Sequence, residues 1–272
     1  MTTRRMTLDD LKMVLDWAAA EGWNPGLDDA EAFYAADPDG FFLNEIDGQP
    51  VAAVSVVNHS ESFAFLGLYI AAPDWRGQGH GIAVWDAGIA HAGARRIGLD
   101  GVPDQQANYA KSGFESSGKT TRYHGTLPKA EKPLARLATT ADLDHLCAAD
   151  KRACGADRPR FARAWFTNTA TRKTVLLPGG DYATFRACRE GVKIGPLVAQ
   201  DAQAALALLS SLPEGLPTGS LYIDLPDTSS GLAELLIDRG FAPSFETARM
   251  YRPALTTRAQ TPFYATATLE LG

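Results

Sequence analysis

The chain has 272 residues, 45% hydrophobic and 21% charged, with a net charge of −6. It can bury a sizeable core and is long for one small domain, so two are expected. The acidic balance argues against nucleic acid as an obligatory partner, and the sequence shows neither an 18-residue apolar run nor a signal peptide, so no membrane partner is expected.

Arg4-Arg5-Met6 reads as the end of a short strand, and Thr7 with Asp10 is an N-cap signature for a helix over 8–20 with the apolar stripe Leu11, Val14, Leu15 and Ala18. Glu21-Gly22-Trp23-Asn24-Pro25-Gly26 is a loop rich in aromatic and helix-breaking residues, followed by a short amphipathic helix at 30–35. Strands are expected at 41–46 and 50–58, joined by the hairpin signal Asp47-Gly48, and at 63–70. In the last of these, alternation puts Glu61, Phe63, Phe65, Gly67 and Tyr69 on one face and Ser62, Ala64, Leu66, Leu68 and Ile70 on the other, with Gly67 admitting a bulge. Residues 1–61 carry twelve acids and three bases, either a solvated acidic face or a patch that attracts a cationic acceptor such as an amine.

The strand at 63–70 leads through Pro73 into Arg76-Gly77-Gln78-Gly79-His80-Gly81 and then the helical pattern Ile82, Val84, Trp85, Ile89. Glycines before a helix N-terminus expose backbone amides and suit phosphate. A P-loop would need a lysine after the glycines, and a dinucleotide fingerprint a small residue where Ile82 stands, although Asp100 lies 19 residues beyond Gly81. What remains is Arg76-x-x-Gly79-x-Gly81. Residues 97–114 then read as a strand, a break at Val102-Pro103, a helix bearing Tyr109 and Lys111, and a closing Gly113-Phe114. A further strand is expected at 119–127, followed by a charged, proline-bounded linker at 128–134.

After the linker the chain repeats itself. Arg136 to Leu143 echoes Arg5 to Leu11, with Thr139 and Asp142 in the places of Thr7 and Asp10, and Ile223 to Phe241 echoes Leu99 to Phe114. The copies differ where chemistry would sit: Ile194 to Asp201 has no arginine and no glycine cluster, and Leu236 falls where Tyr109 would correspond. The second copy therefore reads as catalytically inert, serving to cover the acceptor pocket, to bind an effector or to build an interface, a homodimer included. Asp157 and Arg158, in the turn at 154–160, mark its best place for a polar pocket, with a plain surface turn as the other reading, and 261–271 is read as a final strand. Cys147, Cys154 and Cys188 have no metal-ligand spacing and no even count, so they read as reduced thiols in a cytoplasmic protein with no metal.

The Arg76–Gly81 loop and the Tyr109-x-Lys111-x-Gly113-Phe114 ending resemble the GCN5-related N-acetyltransferases (GNAT), and the paired layout looks like their YitH-type branch. The resemblance implies an α/β (α+β) fold of two tandem GNAT-like domains, each a mixed, mainly antiparallel twisted sheet flanked by helices. A catalytic domain would span 1–127 and a degenerate one 135–272. It implies acetyl-CoA as cosubstrate, held by Arg76, Gly77, Gln78, Gly79, His80 and Gly81 and by the backbone of Leu68, Tyr69 and Ile70. Tyr109 would protonate the departing thiolate, its other reading being a helix tyrosine packed beside Phe114. Trp23, Asn24 and Tyr34 are the candidate contacts to a small, cationic amine, with Trp23 equally a core plug. Glu61 is the candidate base, with Glu21 and His59 behind it. The activity implied is direct N-acetyl transfer in a ternary complex, and the alternative is a CoA- or metabolite-binding regulatory protein with little turnover.

Overall fold

A computed structural model describes residues 1–255 and 264–272. The internal repeat is physical. Thr7 accepts from the Asp10 amide and Asp10 accepts from the Thr7 amide, a capping box that starts α1 (Leu8–Ala20). Thr139 and Asp142 build the same box ahead of α5 (Leu143–Cys154). Each aspartate is also gripped by an arginine six residues earlier, Arg4 at 2.7 and 3.1 Å and Arg136 at 2.8 and 2.6 Å. That fork, with the Thr7 bonds, holds the Asp10 carboxyl down at about 2.

The first half runs β1 (Thr2–Arg5), α1, α2 (Asp29–Ala36), β2 (Phe41–Ile46), β3 (Gln49–Asn58), β4 (Phe63–Ala71), α3 (His80–Ala92), β5 (Arg96–Gly101), α4 (Pro103–Lys111) and β6 (Glu115–Gly125). The second begins with β7 (Arg136–Leu137), α5, α6 (Pro159–Phe166), β8 (Arg172–Leu176), β9 (Tyr182–Ala187) and β10 (Val192–Val198). It closes with α7 (Ala202–Leu209), β11 (Leu221–Pro226), α8 (Ser230–Ile237) and β12 (Ala242–Arg252).

All twelve strands join in one sheet, ordered β1-β2-β3-β4-β5-β12-β6-β11-β10-β9-β8-β7. Each half gives its last strand to the other. β12 pairs antiparallel with β5 of the first half, β6 pairs antiparallel with β11 of the second, and β6 and β12 pair with each other at the centre. The two halves thus share one backbone hydrogen-bond network. Neither completes its sheet alone.

On one face, α1, α2, α5 and α6 bury a core common to both halves, in which Phe33 of α2 stacks on Trp165 of α6 at 6.1 Å. On the other face, α3 and α4 cover the first half, and α7 and α8 the second. Most acids of residues 1–61 are spent on ion pairs, and three of these cross between the halves: Asp16 with Arg189, Asp28 with Arg172 at 2.9 Å, and buried Asp29 with Arg186 at 2.8 Å. Part of the charge asymmetry of the sequence therefore serves to hold the halves together.

The strand expected at 261–271 needs correction. Residues 261–263 lie outside the described ones, and 264–272 contribute a single bridge, Ala265 to Leu197, rather than a strand. This C-terminal segment passes between the halves. The His59 ring bonds the Leu271 carbonyl at 2.9 Å, and Arg158 donates to a Gly272 oxygen.

Candidate active site

The site begins where two parallel strands part. β4 and β5 are paired from Phe63↔Arg96 to Leu66↔Leu99 and no further. In the same stretch β4 carries a bulge: Ala53↔Ile70 and Ser55↔Gly67 leave one extra residue on β4, and Leu68 adopts a positive φ of 46°. The extra residue reverses the alternation expected for this strand. Ala64 and Leu66 pack on the α3 side, whereas Leu68 and Ile70 point into the α1 core. Gly67 itself is not the strained residue. A Cβ there would stand 2.8 Å from the carbonyl carbon of Glu270 and 3.0 Å from its Cα, so the glycine is needed for close approach of the C-terminal segment.

The parted strands open onto two adjoining spaces. The outer one, a groove of about 420 Å³, is floored by Tyr69, Ile70 and Ala71 and walled by Arg76, Gly77, Gly79, His80, Gly81 and Ile82. Gly79 is the N-cap of α3, with φ of 85° and no side chain to bond the first amides, which are left for a ligand in the groove. The Arg76 guanidinium is tied to the Ala71 carbonyl at 3.0 Å and to Glu21. The His80 ring meets the edge of Trp75 at 5.5 Å. Gln78 bonds the Asp74 carbonyl at 2.9 Å and does not line the groove, and Leu68 lines the inner space rather than the outer one.

The inner space is a cavity of about 60 Å³ that shares Trp23, Tyr69, Val102 and Gln105 with the groove. Tyr109 lies on its wall, 7% exposed and stacked on Trp85 at 5.8 Å. Burial, with Tyr69 adding to it, pushes the Tyr109 phenol well above its ordinary value, so it stays protonated. The remaining wall includes Arg122 of β6, which pairs with β11 and β12, and the second half adds Phe245 and Thr247 of β12 and Leu269 and Glu270 of the C-terminal segment.

Of the three expected substrate contacts, only Trp23 reaches this space. Its carbonyl accepts from Arg122 and from Lys193, each at 3.0 Å. Burial, then the charges of Arg122 and Arg186, draw the Lys193 ammonium down to about 8. Asn24 instead clasps the β9–β10 turn, bonding the backbone of Glu190 at 2.9 and 3.1 Å, and Tyr34 stacks on Phe41 in the core. Glu61 does not join the site either. Its side chain is fully exposed 3.8 Å from Arg95, and seven residues of chain separate it from Leu68, roughly 20 Å along an extended strand. Glu21 is engaged with Arg76, and burial lowers the His59 imidazole to about 4 while it holds Leu271. Arg158, read as part of a polar turn, is buried and forked onto Asp150 at 2.7 and 2.8 Å.

The second half has the same parts, closed. β10 and β11 pair as far as Ile194↔Ile223 and then part, and β10 shifts register between Ile194 and Leu197. The gap holds the protein's own chain: Ala265 bridges Leu197, the Thr266 amide donates to the Asp224 carbonyl at 3.3 Å, and a side chain at Gly195 would collide with Thr266. The N-terminus of α7 is already capped, since the Asp201 carboxylate accepts from the Ala204 amide at 2.8 Å. Phe114 donates its amide to the Tyr109 carbonyl at 3.1 Å and Phe241 to that of Leu236 at 3.0 Å, which makes Leu236 the counterpart of Tyr109, and it is buried in the core. Among the described residues no cluster could hold a metal ion, and no helix is long and apolar enough to cross a membrane.

A duplicated acetyltransferase-type fold with one open and one filled strand gap is the class these features define. The chain belongs to the GNAT acetyltransferase family: the family model matches residues 8–114 and a second GNAT domain model matches 146–265. It is 32% identical over 277 residues to holothin acyltransferase of Pseudoalteromonas sp. (strain SANK 73390), covering 100% of this chain and 94% of that protein. A presumptive acetyltransferase from Pyrococcus horikoshii has the same fold, with a TM-score of 0.81 at 20% identity over 100% of this chain and 95% of that one. A GCN5-related N-acetyltransferase from Sphaerobacter thermophilus follows at a TM-score of 0.58 and 15% identity, over 92% and 94%.

Proposed function

We propose that this acyltransferase is an N-acetyltransferase, moving the acetyl group of acetyl-CoA to a small amine by direct attack in a ternary complex. The observation that carries the reading is the continuity from the uncapped amides at Gly79 and His80, along the groove, to Tyr109. In this reading the donor's diphosphate lies on the amides of residues 76–81, and its pantetheine arm runs along Tyr69 to Ala71 between the parted strands. The thioester then reaches the bulge, where a backbone N–H near Leu68 meets the oxyanion. The Tyr109 hydroxyl gives its proton to the leaving thiolate. The cavity behind it suits the amino end of a small acceptor, which is an ammonium in solution, and the relative named a holothin acyltransferase supports a small molecule as acceptor. The first half supplies the donor site, and the second half closes one side of the acceptor cavity with Phe245, Thr247, Leu269 and Glu270.

The test is release of free thiol from acetyl-CoA across a panel of primary amines, read with a chromogenic disulfide. Turnover with at least one amine is the expected result. Binding of acetyl-CoA without thiol release would leave a binding protein instead.

A further inference from the structure

We infer that Glu270, carried into the site by the C-terminal segment, is the group that binds the acceptor nitrogen and takes its proton. The inference rests on the acetyl-transfer reading above. Glu270 is only 3% exposed, yet it lies on the wall of the inner cavity with Leu68 and Tyr109. Its backbone is seated against Gly67 at the bulge, and its Oε2 accepts a hydrogen bond from the Thr268 hydroxyl. The position of the carboxylate is therefore fixed from both ends.

The other charges on that wall are already neutralised. Asp100 of β5 is forked by Arg249 of β12 at 2.8 and 2.7 Å, and Arg122 of β6 is forked onto Asp224 of β11 at 2.7 and 2.9 Å. Glu270 is the cavity carboxylate with no ion-pair partner among the described residues. It lies in the field of Asp100, Arg122, Arg186 on β9 and Lys193 on β10, and the Lys193 ammonium is bonded to the Trp23 carbonyl rather than to an acid. None of these cations forms a direct pair with Glu270, so its carboxylate keeps acceptor capacity that a charged donor can fill. An ammonium entering the cavity becomes that direct partner, so the cavity favours a protonated amine.

The proton balance follows. The ammonium gives one proton to the Glu270 carboxylate, and the freed nitrogen lone pair attacks the thioester carbonyl carbon. The C–N bond forms, the C–S bond breaks, and the thiolate takes the proton of the Tyr109 hydroxyl. The second proton shed by nitrogen restores the phenol, and the one on Glu270 returns to water. The products are an amide, a thiol and one released proton.

Glu270→Gln keeps the shape and the Thr268 bond while removing the base. With acetyl-CoA and benzylamine or spermidine as probes, and acetyl-CoA hydrolysis by water as the acceptor-free probe, kcat should fall about 10²–10⁴-fold. Acetyl-CoA affinity should be unchanged, and the residual rate should rise with pH as free amine replaces the ammonium as acceptor. If the glutamine variant does not fold, Glu270→Asp, which withdraws the carboxylate by one methylene, should lose at least tenfold in rate. A wild-type rate and pH profile in either folded variant overturns the assignment and leaves the acetyl-transfer reading intact. A wild-type protein that releases no thiol with any probe removes both.

Discussion

Gly67→Ala separates the two functions assigned to the halves. The added methyl would stand 2.8 and 3.0 Å from two carbon atoms of the Glu270 backbone. Carbon atoms rest at about 3.5–4.0 Å, so the C-terminal segment must retreat by on the order of 1 Å. Overpacking of that kind costs about 1–3 kcal/mol, which in a chain of this size lowers the melting temperature by roughly 2–10 °C. The larger effect falls on rate, because a displacement of about 1 Å at a reacting centre costs about 10²-fold. The groove at residues 76–82 is untouched, so acetyl-CoA should bind within about twofold of wild type by calorimetry, a far smaller change than the rate loss. Thiol release measured beside calorimetry and a thermal melt gives all three numbers. Full turnover in a folded Gly67→Ala protein would refute the idea that this segment positions the acceptor site.

Tyr109→Phe should lower kcat by about 10²–10⁴-fold with little change in acetyl-CoA affinity. Because burial holds the Tyr109 phenol above its ordinary value, the wild-type rate should show no alkaline fall from this residue up to about pH 10. A variant that loses only cofactor affinity would remove the proton-donor role. His59 gives an acid-side test of stability. Its folded value, lowered by burial to about 4, lies below the ordinary 6.5, so the native chain binds fewer protons than the unfolded one. Stability is then lost as pH drops from 6.5 towards 4, by about 2 kcal/mol between pH 7 and 5. His59→Gln keeps a donor for the Leu271 carbonyl and should flatten that slope in urea titrations, and an unchanged slope would place the effect elsewhere.

What the sequence made legible was local. The capping boxes at Thr7 and Thr139, the Asp47-Gly48 hairpin, the glycines ahead of α3 and the Tyr109 to Phe114 ending are short patterns whose meaning lies in neighbouring residues, and each formed where expected. The missed features depend on partners far along the chain. The exchange of β6 and β12 cannot be read from either strand, because the residues of a strand do not name the strand it pairs with. The bulge at Leu68 cancels a period-2 pattern at one residue and turns Leu68 and Ile70 into the α1 core.

Glu61 is the acid nearest the strand in sequence, but strand geometry carries it to the far end from the cleft. Glu270 lies two hundred residues beyond the bulge it touches, in a stretch whose alternation imitated a strand. The one signal that pointed there was Gly67, an isolated glycine in an otherwise apolar strand, which can mark close approach of another backbone as well as a bulge. The closed second half was legible in part: Leu236 and the absence of a glycine cluster are plain in the sequence, whereas the segment that fills its gap could not be read.

The most direct measurement of the central claim is a crystal structure of the protein with CoA bound. The account requires one CoA per chain, with its diphosphate on the amides of residues 76–81, its thiol beside Tyr109, and the gap between β10 and β11 still filled by residues 265–267. A diphosphate bound anywhere else, or a CoA lying between β10 and β11, would contradict it.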